Sequence, residues 1–116
     1  MEPIREIEAF EDHFEKFLKK QTQKVQDKIY KIFEIIQLID RVPEQYLKHL
    51  KNTDGLYEIR IQLGNNIWRI FCFFDGNKLI ILLNAFQKKT QKTPKREIQK
   101  AEKLKAKYFE KKKERK

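Results

Sequence analysis

Three apolar segments joined by two short glycine-containing turns constrain the fold of this chain more than any other feature. The segments are LYEIRIQL (56–63), NIWRIFCFF (66–74) and KLIILLNAF (78–86). They are rich in β-branched and aromatic residues, and the connections at 64–66 and 75–77 read GNN and DGN, as tight turns do. The sequence therefore predicts three antiparallel strands joined by two hairpins.

Apolar residues at helical spacing lie on both sides of these strands, and they predict three helices. Before the strands, one stripe lies within 10–18 and a stronger one within 25–39, which Pro43 ends. Residues 4–11 fit either a short first strand or the start of a helix. After the strands, 93–94 read Thr-Pro, as at a helix N-terminus, and a third stripe follows among basic residues. The apolar positions of the three stripes are Phe10, Phe14, Phe17, Leu18, Val25, Ile29, Ile32, Phe33, Ile36, Ile39, Ile98, Ala101, Leu104 and Tyr108.

Together these elements predict one α+β domain over residues 1–116. We expect an N-terminal helical hairpin packed on a small antiparallel sheet of three to four strands, with a basic C-terminal helix after it. The basic segment 110–116 is expected to fray at the end of that helix. No apolar run approaches the roughly 20 residues that a membrane span requires, and residues 1–10 lack the apolar core of a signal peptide.

The single cysteine and the two histidines do not form a pattern for a disulfide or a metal site. Cys72 has no partner thiol, which fits a reducing cytosol, so we expect a cytoplasmic protein. His13 and His49 are not spaced as metal ligands, and no cluster of cysteines or carboxylates accompanies them. The chain also lacks a P-loop, a GxGxxG and a GxSxG motif. We therefore expect no metal and no cofactor.

The positive charge of the chain is concentrated in its last quarter. The net charge is +10, from 27 basic and 17 acidic residues. Residues 88–116 hold 14 of the basic and 4 of the acidic residues, which leaves 13 of each before them. Such an asymmetry favours a polyanionic partner, either nucleic acid or an acidic protein, although the final lysine-rich run could equally be a solubilising tail.

The length of the first hairpin turn decides whether two arginines share a face of the sheet. A two-residue turn at 64–65 places Arg60 opposite Arg69. A turn at 65–66 places Arg60 opposite Phe71 and still keeps both arginines on one face. An odd-numbered loop or a bulge would separate them.

The second hairpin extends these two faces onto the third strand. A two-residue turn at 75–76 predicts that Arg69 lies opposite Leu82. One face would then carry Glu58, Arg60, Gln62, Arg69, Asn84, Phe86 and Lys88. The other would carry Tyr57, Ile59, Ile61, Leu63, Trp68, Ile70, Phe74, Ile81 and Leu83, and would pack on the helical hairpin.

Two cross-strand arginines repel each other unless another group balances their charge. In one interpretation Glu58 pairs with one arginine and solvent accommodates the other. In the other, Arg60 and Arg69 form an anion site, because guanidinium groups match phosphate in geometry. Lys88 would complete its positive rim. The neighbouring residues that we expect to contact a nucleic acid are Lys89, Phe86, Asn84 and Lys92.

A set of short motifs lies over about 48–109: YEIR at 57–60, WR at 68–69, FQKKT at 86–90, TP at 93–94 and a helix containing Ala101. Together they resemble the RelE/ParE superfamily of bacterial toxins, and are most similar to its HigB-type, phage-related branch. The resemblance implies the toxin of a type II toxin–antitoxin system, a ribosome-dependent endoribonuclease that cleaves mRNA and inhibits translation. The implied reaction needs no metal: the mRNA 2′-hydroxyl attacks the adjacent phosphate, which gives a 2′,3′-cyclic phosphate and a free 5′-hydroxyl.

The resemblance also assigns roles to individual residues. It implies that Arg69 stabilises the charge that builds on phosphate, with Arg60 on the preceding strand and Lys88 or its neighbour in the basic cluster after the last strand. Some relatives carry a tyrosine or histidine in the segment that reads QKKTQKTP here. Because this segment has neither, Lys88, Glu58 and His49 remain candidates for the acid and the base.

The implied partners are the ribosome with its mRNA and a helix-turn-helix antitoxin of the HigA kind. Two alternatives remain open at this point. One is a ParE-like toxin that inhibits DNA gyrase and has no nuclease site. The other is a non-catalytic RNA-binding module that uses the basic C-terminal helix.

Overall fold

The computed structural model describes residues 2–114 and has an α+β architecture with three helices and one five-stranded sheet in that range. The elements in chain order are β1 (Glu6–Ala9), α1 (His13–Lys19), α2 (Gln23–Leu38), β2 (Leu47–His49), β3 (Leu56–Leu63), β4 (Asn66–Asp75), β5 (Leu79–Lys88) and α3 (Lys95–Glu114). The strand order is β1-β5-β4-β3-β2. β1 is parallel to β5, and the other neighbours are antiparallel.

The prediction of three to four antiparallel strands was wrong, because two short edge strands enlarge the sheet and make it mixed. β1 has four residues and β2 has three, too few for a period-two pattern to distinguish them from a loop or a helix start. β1 settles the ambiguity that 4–11 presented. β2 lies in what the sequence indicated was only a connection, and it pairs Lys48 with Glu58.

The first hairpin has the register that a two-residue turn predicts. Leu63 pairs with Asn66, and Arg60 lies directly opposite Arg69. Gly64 takes a left-handed φ of 62°, which suits the first central residue of a type II′ turn and which a side chain would disfavour.

The predicted register of the second hairpin was wrong, because the turn has three residues and β5 contains a bulge. Asp75 pairs with Leu79, and Arg69 lies opposite Phe86 rather than Leu82. Two residues of β5, at 83–84, oppose one residue of β4. A bulge of this kind reverses the faces of the residues before it relative to those after it.

The sheet separates two apolar cores. α1 and α2 cover one face, where Phe14, Ile29 and Ile36 pack on β3, β4 and β5. α3 covers part of the other face, where Ala101 and Leu104 pack on a cluster that also holds Phe71, Phe73, Leu56, Ile81 and Leu83. The three-residue turn explains why Ile81 lies against α3 and not, as predicted, against the N-terminal helices, because it shifts the pairing before the bulge by an odd number of residues. Leu83, which lies in the bulge itself, joins the same cluster.

The C-terminal helix is longer than the sequence suggested. α3 continues to Glu114, so 110–114, which we expected to fray, are helical, while 115–116 lie outside the described residues. Within residues 2–114, no helix combines the length and the hydropathy that crossing a membrane would require.

Candidate functional site

Four basic residues from four strands share the α3-facing side of the sheet, beyond the part that α3 covers. Lys48 of β2 lies opposite Glu58, and Arg60 of β3 lies opposite Arg69 of β4. Lys88 of β5 is two residues beyond the partner of Arg69, and therefore on the same face. We call Lys48, Arg60, Arg69 and Lys88 the basic cluster. Glu58 is the one carboxylate that the strand register places among them.

Glu58 and Arg69 form a buried ion pair at the centre of the basic cluster. Their side chains are 9% and 6% exposed, and Nε of Arg69 lies 2.9 Å from Oε2 of Glu58. The N–H direction does not meet hydrogen-bond geometry, so both atoms lack a hydrogen bond. Nη1 of Arg69 donates to the carbonyl oxygen of Trp68 at 3.1 Å. This confirms the interpretation in which Glu58 pairs with one arginine, and it leaves Arg60 without an ion pair among residues 2–114.

Burial and like charge lower the pKa of two cations in the basic cluster. Burial is the main cause of the lowered pKa of the Arg69 guanidinium; Glu58 opposes it and Arg60 adds to it. Burial also lowers the pKa of Lys88, followed in effect by Arg69, while Glu58 raises it and Arg60 and Lys48 lower it further. The Lys88 ammonium has no ion pair or hydrogen bond with another residue in 2–114. It therefore loses its proton more readily than an ordinary lysine.

Three of the predicted RNA-contacting residues lie beside the basic cluster. Phe86 faces Arg69 and is half-buried, with its ring edge-on to Phe71 at a centroid distance of 5.2 Å. Lys89 and Lys92 are exposed beyond the end of β5. Lys88 and Lys89 line an open groove of about 410 Å³ together with Asn65, Ile67, Thr90 and Gln91.

Two of the predicted site residues do not join the basic cluster. Asn84, which we expected to contact RNA, is 1% exposed and donates to the carbonyl oxygen and the Oε1 of Glu97 at 3.1 and 3.0 Å. It sits in the bulge of β5, which places it against α3. His49, a candidate acid or base, lies in β2 opposite Tyr57 on the other face of the sheet, with the two rings 5.2 Å apart. The alternation of side chains along β2 therefore excludes His49 from the site.

The sequence interpretation also missed a member of the basic cluster. Lys48 lies in the three-residue strand β2, which was interpreted as a connection. Lys48 is next to His49 in the sequence, and neighbouring residues of a strand point to opposite faces of the sheet. This alternation is the only signal in the sequence that could have placed Lys48 on the face opposite His49.

Other groups in the described part of the chain offer little chemistry. Burial raises the pKa of the Cys72 thiol, which is completely buried and so stays protonated and inert. Among residues 2–114 there is no group of three or more histidine, cysteine or carboxylate side chains that could hold a metal ion. Among residues 2–114, the basic cluster is therefore the arrangement best suited to binding or catalysis.

One family model matches most of the chain. The family described as "Phage derived protein Gp49-like (DUF891)" matches residues 16–106, a span that contains the whole basic cluster. No curated protein matches the chain.

Proposed function

The chain belongs to the Gp49-like family of phage-derived proteins, a RelE-like family associated with toxin–antitoxin systems, and on that premise we propose that it is a toxin of the HigB type that cleaves mRNA on the ribosome. The observation that carries this proposal is the uneven charge of the basic cluster. Four cations surround one carboxylate, and that carboxylate is already paired with Arg69. Lys48, Arg60 and Lys88 are left to balance an external anion, and an RNA phosphate is an anion of suitable size and charge.

Arg69 and Arg60 have different roles in this proposal. Glu58 and the carbonyl oxygen of Trp68 hold the Arg69 guanidinium in place, so that its charge is fixed in a partly dehydrated site before RNA binds. Fixed charge of this kind stabilises a developing phosphorane without reorganisation. Arg60 is more accessible and has no ion pair among residues 2–114, so it can make a direct, bidentate contact with the phosphate oxygens.

Lys88 supplies a proton in this proposal. When the 2′-oxygen attacks phosphorus, the bond from phosphorus to the 5′-oxygen breaks, and the leaving oxygen needs a proton. The Lys88 ammonium can donate it, because its lowered pKa makes it a stronger acid than an ordinary lysine. The proton of the 2′-hydroxyl passes to water in the open groove beside Lys88. Glu58, a candidate in the sequence analysis, is buried against Arg69 and acts here by positioning that residue.

The decisive experiment compares two adjacent lysines. Lys88→Met removes the half-buried ammonium, and Lys89→Met removes an exposed one from the same short segment. We expect Lys88→Met to lower cleavage by about 10²–10³-fold, the usual effect of removing one electrostatic stabiliser, and Lys89→Met to lower it by about tenfold or less. Mapping of mRNA 5′ ends on translating ribosomes, after induction of each variant, measures both rates.

The same experiment distinguishes the alternatives. Intact messages together with DNA damage after induction of the wild-type protein would favour a gyrase-directed toxin. Intact messages without DNA damage, but with salt-dependent binding to free RNA, would favour a non-catalytic RNA-binding module. Equal loss of cleavage in both lysine variants would contradict the special role of Lys88.

A further inference from the structure

An open pocket lies at the edge of the sheet just before β2 begins, where β3 continues past the end of its pairing with β2. Its volume is about 340 Å³. Residues from α2, from the segment before β2 and from β3 line it: Lys28, Ile32, Gln45, Tyr46, Arg60 and Gln62. Arg60 is therefore shared between this pocket and the basic cluster. None of the other five residues was singled out as a site residue from the sequence.

At the edge of β3 beside this pocket, the backbone N–H and C=O of Gln62 have no hydrogen-bond partner on the side of β2 among residues 2–114. Odd-numbered residues of β3 bond to β4 across the hairpin, so even-numbered residues direct their peptide groups toward β2. The N–H of Arg60 donates to the carbonyl oxygen of Tyr46 at 2.9 Å, where the pairing stops. The next such residue, Gln62, has no backbone partner on that side among residues 2–114. Its peptide N–H and C=O are an unused donor and acceptor at the pocket wall.

The pocket also holds two cations that lack a counter-charge. Lys28 and Arg60 are both half-buried, and neither makes an ion pair with a residue in 2–114. A half-buried cation without a partner is costly, since it loses hydration and gains no compensating charge. Two of them in one pocket indicate that the pocket is complete only when an anion is present.

Tyr46 adds an aromatic surface between these polar groups. Part of its ring packs on the core beneath α2 and the rest lines the pocket. The pocket therefore combines a pair of cations, an aromatic ring, a free peptide edge and the side-chain amides of Gln45 and Gln62. A phosphate matches the two cations, and a base can stack on the aromatic ring. The hydrogen-bonding edge of that base matches the free peptide and the side-chain amides.

We propose that the β3-edge pocket binds one nucleotide of RNA, with its phosphate between Lys28 and Arg60 and its base on Tyr46, read by the free peptide of Gln62. This inference rests on the proposed function in one respect: it makes the nucleotide a neighbour of the one that is cleaved. Arg60 lies in both places and so bridges the two phosphates. The pocket then selects sequence, while the rest of the basic cluster performs the cleavage.

Binding can be tested without any reference to cleavage. The four nucleoside 5′-monophosphates are titrated separately into the isotopically labelled full-length protein, and amide shifts are followed by NMR. We expect saturable shifts at Gln62 and Tyr46, with different affinities for the four bases. Inorganic phosphate is the matched probe without a base. If it binds as tightly as every nucleotide, the pocket is a simple anion site and the proposal of a nucleotide site is overturned.

Two substitutions on the pocket wall separate the contributions of charge and ring. Lys28→Gln should weaken nucleotide binding by about tenfold, as removal of one charged contact does, and Lys31→Gln, an exposed change three residues away on α2, should leave it unchanged. Tyr46→Leu retains an apolar side chain on the core but removes the stacking surface, and should weaken binding by about tenfold or more. Circular dichroism checks that each variant keeps its fold.

The cleavage assay then shows whether failure lies with the pocket or with the proposed function. If both are correct, Tyr46→Leu changes the sequence preference of mRNA cleavage and raises KM, with little change in kcat. Cleavage with shifts confined to residues around Lys88 would overturn the pocket and leave the nuclease intact. Nucleotide binding at Gln62 without any mRNA cleavage would overturn the nuclease and leave the pocket.

Discussion

The α3-facing side of the sheet has a half that α3 covers and a half that it leaves open. The two halves differ in whether their cations have acidic partners. In the covered half, basic residues of α3 meet acidic residues of the sheet and loops: Lys112 bonds to Asp75 at 2.8 Å, and Lys107 to Glu11 at 2.7 Å. In the open half, Arg60 and Lys88 have no such partner among residues 2–114. The basic helix is thus held by local acids, whereas Arg60 and Lys88 on the strands beyond it have no acidic partner among the described residues.

The position of a positive charge in the fold decides what it contacts in this chain. The last quarter of the sequence carries the whole excess of basic residues, yet several of them serve to attach α3. Lys88 lies at the start of that quarter, and Arg60 lies outside it. The net charge of a segment therefore indicates a partner class but does not locate the site.

The largest effect on stability should come from breaking the ion pair of the open half. Glu58→Gln leaves the Arg69 guanidinium buried without its counter-charge, and should cost about 3–5 kcal/mol of unfolding free energy. The double variant Glu58→Gln, Arg69→Met removes both charges and should recover much of that loss. Urea denaturation of the single and double variants measures the difference. A Glu58→Gln protein as stable as the wild type would contradict the structural role given to this pair.

A slightly smaller loss of unfolding free energy is expected in the covered half, where apolar packing adds to the ion pairs that attach α3. Leu104 is 8% exposed in the cluster beneath α3, and Leu104→Ala should cost about 2–4 kcal/mol through lost burial and a cavity. Ala106→Ser on the exposed side of α3 is the matched control, and should change stability by less than about 0.5 kcal/mol. Equal losses in the two variants would show that α3 is not docked through Leu104.

The same two halves show how far the sequence predicts this structure. The open half depends on the first hairpin, whose GNN turn allowed only a few registers, and the even-numbered ones all kept Arg60 and Arg69 together. Pairing of Glu58 with one arginine was also foreseen as an alternative. Whether Glu58 pairs with Arg60 or with Arg69 depends on how deeply each arginine is buried, and a local sequence pattern does not reveal that.

The covered half depends on features that carry no local signal. The three-residue second turn and the bulge at 83–84 leave no local signal, because a shift of one residue along the apolar run at 79–83 would still bury apolar side chains. Asn84 lies on the predicted side of the sheet, but α3 covers that part of it, and so Asn84 bonds to Glu97. β1 and β2 are stabilised by the strands they join and not by their own few residues, which is why the five-stranded sheet and Lys48 were missed.

A moderate effect is expected from one acid that attaches the covered half to α3. Asp75 accepts hydrogen bonds from the hydroxyl of Tyr108 at 2.6 Å and from Lys112. Asp75→Asn keeps the size of the side chain but loses the charge, and should cost about 1 kcal/mol. Thermal unfolding measures the change, with Asp27→Asn on the exposed side of α2 as control. If stability does not fall relative to that control, the contact with Tyr108 and Lys112 contributes nothing to attachment of α3.

The smallest expected effect is a dependence on pH of the attachment between α3 and the turn before α1. A hydrogen bond from Lys107, with help from His13 and Lys111, lowers the pKa of the Glu11 carboxyl from 4.5 to about 2. Because the pKa is lower in the folded protein, the stabilisation is complete above about pH 5 and disappears as the pH falls toward 2. Amide exchange along α3 should therefore speed up over that range, after subtraction of the change in Glu11→Gln. Identical pH profiles for the two proteins would show that Glu11 does not help to hold the helix.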